Sequence, residues 1–270
     1  MVVARTEKRL EVWRTVAEAY ALTFGNLGYL LRISWAWVVL MIPVSLAFYA
    51  STFWLRSHNS ATESYFASSI EDVLSTILFL PFLASIAVAW HRRLLVNEVW
   101  LGSVYLRFDG VVASYFGLSA MISILFPGPM IAFPSSVESR WQGLLLLAVA
   151  LATGVGLFLG TRIWLALPAR ALGNSEITVR QAWRGSRRNV LRLLAGSFLC
   201  SLPMFVLVVL AAMFGPDMAE ASQALVYAAW QTLIEIGLTF LAGMPIVSFL
   251  SLAYRRLIQD REPADLLRAA

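Results

Sequence analysis

The chain has 270 residues, 59% of them hydrophobic and 14% charged, with a formal net charge of +5 and a mean hydropathy of +0.73. That balance belongs to a polytopic membrane protein and excludes an ordinary soluble domain. Of the 21 basic residues, 20 are arginines gathered at the edges of apolar runs, so the expected partner is an anionic lipid headgroup and not nucleic acid.

The first 32 residues predict an amphipathic arm. Trp13, Val16, Tyr20, Phe24 and Leu27 recur every three or four positions, with Glu7, Glu11, Arg14 and Glu18 between them. Charges persist to Glu18 and the first apolar run begins only after Arg32, so a cleaved secretory signal is not expected. A bilayer core takes roughly 20 helical residues. Six runs meet that length: Ile33–Trp54, Val73–Trp90, Val111–Phe133, Gly143–Leu167, Leu193–Phe214 and Ile234–Tyr254. Ser68-Ser-Ile-Glu71 reads as a capping box opening the second, and the segment from Glu98 to Phe108, which contains Gly102, reads as a short second arm. On the fourth run, Ala152, Gly156 and Gly160 share one face at small-xxx-small spacing, which predicts close helix packing inside the bundle or between protomers.

Between the fourth and fifth runs, Arg162 to Leu194 carries seven arginines against one acid, Glu176. Thr178-Val-Arg-Gln181 reads as a capping box that starts a helix. Arg180, Arg184, Arg187, Arg188 and Arg192 then fall within a sector roughly 140° wide at about 100° per residue. Such a helix can lie in the interface and engage anionic headgroups through those five side chains. Sorting all charges by connection places 19 of the 21 basic residues on the side of the termini. By the positive-inside rule both termini face the cytoplasm of a bacterial-type inner membrane.

An offset of 163 relates Tyr20 to Trp183, Asn26 to Asn189 and Arg92-Arg93-Leu94-Leu95 to Arg255-Arg256-Leu257-Ile258. A weaker offset of 77 relates Leu95-Val96-Asn97 to Leu172-Gly173-Asn174. The reading is one integral membrane domain over 1–270, built from three arm-plus-hairpin units at 5–98, 99–174 and 175–260 and followed by a cytoplasmic tail at 261–270.

Charges next to the membrane bear on function. Arg32 precedes the first span, and Arg162 counts to the inner boundary, with a polar bundle or transport residue as its other reading. Glu235 counts to the outer boundary, with a polar contact inside the bundle as the other reading. Pro43, Pro81, Pro127, Pro203 and Pro245 interrupt five runs, and Pro168 closes the remaining one. No residue set specifies a reaction. His58 and His91 lack metal-ligand spacing, no phosphate loop or nucleophile elbow occurs, and the lone Cys200 inside an apolar run is expected to pack as a small hydrophobe. No catalytic residue, metal or cofactor is therefore expected.

Leu167-Pro168-Ala169 ending a span, a short turn, then Gln181-Ala-Trp183 with Ser186 and Asn189 before the next span form a pattern over about 30 residues. It resembles bacterial multi-pass families related to the membrane domain attached to some glycerophosphodiester phosphodiesterases. The resemblance implies an all-helical inner-membrane protein. No soluble phosphodiesterase domain is present, so that activity and its catalytic residues do not carry over. The expectation is an all-α bundle of six transmembrane helices with interfacial arms, a non-enzymatic membrane-organising or accessory protein whose arms bind phospholipid headgroups. The alternative is a transporter or permease for a small or lipidic substrate. Protein partners and homo-oligomerisation are not legible.

Overall fold

The computed structural model describes residues 9–58, 61–125, 139–173, 179–214, 224–238, 240 and 243–259. Among these residues the fold is all-helical, with no strand. The helices are α1 (Val12–Gly25), α2 (Leu27–His58), α3 (Ala61–Val96), α4 (Gly110–Leu125), α5 (Ser139–Trp164), α6 (Ala166–Ala171), α7 (Val179–Ser186), α8 (Val190–Phe214), α9 (Ala224–Leu238) and α10 (Met244–Leu257).

Three of them are long and apolar enough to cross a membrane, over Leu27–Ser51, Ile77–Val96 and Ala150–Ala171. They contain most of the first, second and fourth expected spans. Shorter apolar helices over Gly110–Ser123 and Val190–Pro203 correspond to the third and fifth. The sixth expected span is divided between α9 and α10. Pro245 sits in the first turn of α10, a position that tolerates proline. Pro43, Pro81 and Pro203 stay inside α2, α3 and α8, while Pro168 lies within α6 rather than closing α5. Pro127 falls outside the described residues.

Burial runs opposite to that of a water-soluble bundle. Val39, Trp54, Val155, Leu191, Val206 and Leu233 point outward, more than half exposed, whereas Ser34, Ser45, Thr161, Ser248 and Ser251 are buried. An apolar solvent removes the drive to bury leucine and rewards burying hydroxyls that can pair with each other or with backbone carbonyls. Ser34 Oγ bonds Leu30 O at 2.8 Å and Thr161 Oγ1 bonds Leu157 O at 2.6 Å, which satisfies both without leaving their helices.

The helices pack in a cyclic order. α2 pairs with α3, α4 with α5, and α8 with α9. Each pair also leans on the next, with α3 on α4, α5 on α8, and α9 on α2. At the centre α3, α6 and α10 touch one another. α10 is the most enclosed: Phe249, Ala253, Leu257 and their neighbours form a core with Ala19 of α1, Leu165 and Ala169 from around α6, and Leu193 and Cys200 of α8. Cys200 is thus fully buried among apolar side chains.

Three local expectations fail. Ser68 to Glu71 lies inside α3, which begins seven residues earlier at Ala61, so it does not cap a helix start. The middle arm expected over Glu98 to Phe108 is not helical, nor are Asn97 and Asp109 on either side of it. Asn97 leaves α3 in the left-handed region at φ 55°, and the indole of Trp100 folds over Gly102 so closely that a Cβ there would lie 2.7 Å from its Nε1. The five-arginine helix is also broken, because residues 187–189 form a turn between α7 and α8. Thr178, the proposed cap of α7, falls outside the described residues.

Candidate functional site

The end of the bundle that carries most of the arginines is organised by α1. Its buried face consists of Thr15, Val16, Ala19 and Thr23, while Trp13 is 75% and Phe24 42% exposed. Of the expected apolar stripe, Trp13, Phe24 and Leu27 therefore point outward while Val16 is buried and Tyr20 half-buried, with Tyr20 and Phe24 stacked at 6.0 Å. Small side chains take the seat instead because only they let α1 approach α8 and α10 closely. Two residues of the α8 start clamp the residue ahead of α1: the Leu10 amide donates to Asn189 Oδ1 at 2.9 Å, and Arg192 donates to the Leu10 carbonyl at 3.2 Å. Tyr20 Oη lies 3.1 Å from the carbonyls of Leu199 and Cys200, the first of which loses its helical donor because Pro203, four residues on, has no N–H. Arg256 of α10 donates to Thr15 Oγ1 at 2.5 Å and pairs with Glu18.

The junctions into α2 and α8 share one backbone pattern. Asn26 N–H bonds Thr23 O at 3.4 Å and Leu30 N–H bonds Asn26 O at 3.0 Å; Asn189 N–H bonds Ser186 O and Leu193 N–H bonds Asn189 O, both at 2.8 Å. Ala19 and Ala182, Thr23 and Ser186, and Leu30 and Leu193 are all fully buried.

The five arginines divide into two environments. Arg180 and Arg184 on α7, and Arg187 and Arg188 in the turn, are exposed, while Ala182 and Ser186 face inward. Arg192 belongs to α8 and is half-buried in its bond to Leu10, so it is a packing residue and not part of the exposed set. α7 lies on α5, where the Arg162 guanidinium sits between Trp183, 4.3 Å from the ring centroid, and Phe158, 4.8 Å. Arg162 thus joins the two elements. Glu235 lies on α9 with its side chain outside the described set, and Gly156 and Gly160 are buried while Ala152 is exposed.

Residues 97–109 form a strap across α2 and α3. Trp35 Nε1 donates to Ser103 O at 2.8 Å, Ser85 Oγ donates to Arg107 O at 2.9 Å, and Phe108 meets Trp37 edge-on at 4.9 Å. Arg92 pairs with Glu98, and Arg107 with Asp109 at 2.5 Å. The Arg92 hydrogen bond, aided by the charges of Arg92 and Arg107, holds the Glu98 carboxyl below its ordinary range against partial desolvation. For Asp109 desolvation pushes upward, yet the Val112 amide at 3.0 Å, the Arg107 pair and the Val111 amide at 3.1 Å together hold it low. Burial pushes the Tyr105 phenol up to about 12. Because Asp109 is held low when folded, its charge stabilises the fold above the ordinary carboxylate range, about pH 4, and that contribution is lost as pH falls through the depressed value. Asp109→Asn keeps the cap on α4 but removes the charge pair. The variant is expected to melt below wild type by under ~1 kcal/mol at pH 7, with the gap closing below about pH 4; an unchanged gap in melting scans across pH would refute this.

Between α3 and α10 runs a buried polar seam in which the hydrogen-bond directions can be assigned. Trp90 Nε1–H donates to Ser248 Oγ at 2.7 Å, Ser248 donates to Thr23 Oγ1 at 2.8 Å, and Thr23 donates to Ala19 O at 2.8 Å. One turn further, Ser251 gives its proton to Val247 O at 2.9 Å, so His91 Nδ1 donates to Ser251 at 2.7 Å and its Nε2 accepts from Tyr115 Oη at 3.3 Å. Every one of these side chains is at most 5% exposed. His91, set aside in the sequence for lack of metal-ligand spacing, is wholly enclosed; its i−1 neighbour Trp90 and the pair Ser248 and Ser251, three apart on one face of α10, were the available signal.

No family model, curated protein or solved structure matches the chain. Function therefore rests on the geometry. Four arginines stand exposed on α7 and the turn after it, and α1 turns Trp13 and Phe24 outward. The polar side chains of the seam between α3 and α10 satisfy one another, whereas Trp37 Nε1, Tyr105 Oη, Arg162 Nε and Ser197 Oγ are buried without a hydrogen-bond partner among the described residues. Among the described residues no group of His, Cys, Asp and Glu could hold a metal ion.

Proposed function

We propose that this is an integral membrane protein of six spans, both termini cytoplasmic, that organises or assists the inner membrane by engaging anionic headgroups through its arms. The observation that carries the reading is the exposure of Arg180, Arg184, Arg187 and Arg188 on one short element whose other face is buried. Trp13 and Phe24, exposed on α1 beside Arg14, give the same combination of apolar anchor and cation. The resemblance to phosphodiesterase-associated membrane domains is consistent with this reading.

The three-unit organisation has its support in the cyclic packing. The arm of the first unit (α1) lies on α8 and α10 of the third, that of the third (α7) lies on α5 of the second, and the strap of the second lies on α2 and α3 of the first. Arg255 bonds the Leu94 carbonyl, and Arg92, 163 positions earlier, bonds the Ala171 carbonyl, 77 positions after Leu94. The same latch thus joins third unit to first and first to second. Each arm is held by a neighbour, so its cations have a fixed place at the membrane edge.

Headgroup engagement is tested with the full chain reconstituted in mixed phosphatidylglycerol and phosphatidylcholine bilayers. Each surface arginine contributes on the order of 1 kcal/mol toward an anionic leaflet. R180Q/R184Q/R187Q/R188Q is expected to lose most of the phosphatidylglycerol enrichment in the extracted lipid shell while melting like wild type; equal enrichment would refute the function. Transport, the alternative, calls for polar groups converging on a kink, whereas those of α3 and α10 are closed into hydrogen-bonded chains.

A further inference from the structure

We propose that a cavity between the first turn of α1 and the last turn of α10 binds a phosphate group, as a phosphate ester or inorganic phosphate, at a site separate from the α7 arginines. The cavity encloses about 310 Å³ and is open on one side. Among the described residues, Arg9, Arg14, Arg255 and Arg256 line it with Glu11 and Glu18, a net charge of +2 from four guanidinium and two carboxylate groups. That charge matches a phosphate dianion, and guanidinium forks fit phosphate oxygens in pairs.

The two carboxylates are not equivalent. Glu18 is committed to Arg256, which also holds Thr15, and this trio forms one wall. Glu11 meets Arg14 at 3.5 Å with both side chains at least 69% exposed, a pair of the kind that contributes little. A phosphate can displace Glu11 and take Arg14. Arg255 spends one N–H on the Leu94 carbonyl and keeps its other donors for the cavity it lines. α1 begins here without a side-chain cap, at Glu11, so its first-turn amides add positive potential. α10 ends here, and the opposing dipole ends leave the arginine excess to set the sign.

Leu10, Leu252 and Leu257, each at most 3% exposed, floor the cavity beneath the cationic rim. Phosphate above an apolar floor is the geometry of a phospholipid headgroup at its glycerol end, although the rim alone would accept free phosphate. The clamp on Leu10 from Asn189 and Arg192 keeps the rim in place, because Arg9 and Glu11 flank that residue. The inference does not depend on headgroup binding by α7.

The test uses the purified full chain in uncharged detergent, titrated calorimetrically with inorganic phosphate, with dihexanoyl phosphatidylglycerol and with phosphate-free dihexanoyl glycerol. At least one phosphate-bearing probe should bind and the phosphate-free one should not. R9Q/R14Q, which touches exposed residues, should weaken binding at least tenfold without lowering the melting temperature. E11Q, which releases Arg14, should tighten it severalfold. Inorganic phosphate binding as well as the lipid assigns the site to phosphate itself; lipid binding alone assigns it to a headgroup. Absence of binding by both phosphate probes, equal binding of dihexanoyl glycerol, or affinities unmoved by R9Q/R14Q and E11Q would overturn the proposal. The α7 quadruple variant should leave these affinities unchanged, so failure at one site is distinguishable from failure at the other.

Discussion

Gly196→Ala is expected to lower the stability of the detergent-solubilised protein by about 1–3 kcal/mol, and Gly196→Val by more. A Cβ at Gly196 would fall 2.1 Å from Cζ and 2.3 Å from Cε2 of Phe249. That ring cannot swing away, because Phe249 is fully buried in the core shared by α1, α6, α8 and α10. The backbone of α8 would have to retreat from α10, loosening the seat of α1 on both. Gly117 and Gly154 are helical controls with nothing within 4 Å of the added atom. There alanine should be neutral or stabilising by up to roughly 1 kcal/mol, since glycine costs about that much inside a helix. Thermal unfolding followed by size-exclusion recovery decides the matter: equal melting temperatures for Gly196→Ala and Gly117→Ala would mean that α8 and α10 are not in this contact.

Ser248→Ala is the second large effect, expected at about 1–3 kcal/mol. Trp90 Nε1–H has Ser248 as its acceptor, and with Trp90 fully buried no water replaces it. Thr23 fares better, because it keeps its bond to Ala19 O and loses only a donor to its lone pair. The loss should therefore trace to Trp90. In a double-mutant cycle, Trp90→Phe added to Ser248→Ala should cost less than the two single losses combined, since the orphaned donor has gone. Strict additivity would show that the indole has another partner. Ser251→Ala, by the same reasoning, strands Nδ1 of His91.

Much of this was legible in the chain. Apolar run lengths located the long helices, because spanning a hydrocarbon layer sets a minimum length that composition alone reveals. The 163-residue offset pointed to Asn26 and Asn189, which do occupy matching junctions, since a turn between two helices demands a specific backbone pattern from a short segment. The exposed character of Arg180, Arg184, Arg187 and Arg188 followed from periodicity.

Other features depend on who sits beside whom. Periodicity gave α1 an apolar stripe but could not say that Thr15, Ala19 and Thr23 would be the buried one, because close approach to α8 and α10 is decided by the shape of those partners. Arg192 shares the spacing of its exposed neighbours and differs from them only because the Leu10 carbonyl lies within its reach. Arg255 and Arg256 resemble ordinary positive-inside residues until α1 docks and encloses them with Arg9 and Arg14 around one cavity. Sequence by itself determined the helical class, the segregation of charge along the chain and the approximate location of the long apolar helices, all of which are local or compositional properties. Only the tertiary structure decided which arginines stand exposed and which hold the bundle together, because that depends on contacts between residues up to 241 positions apart.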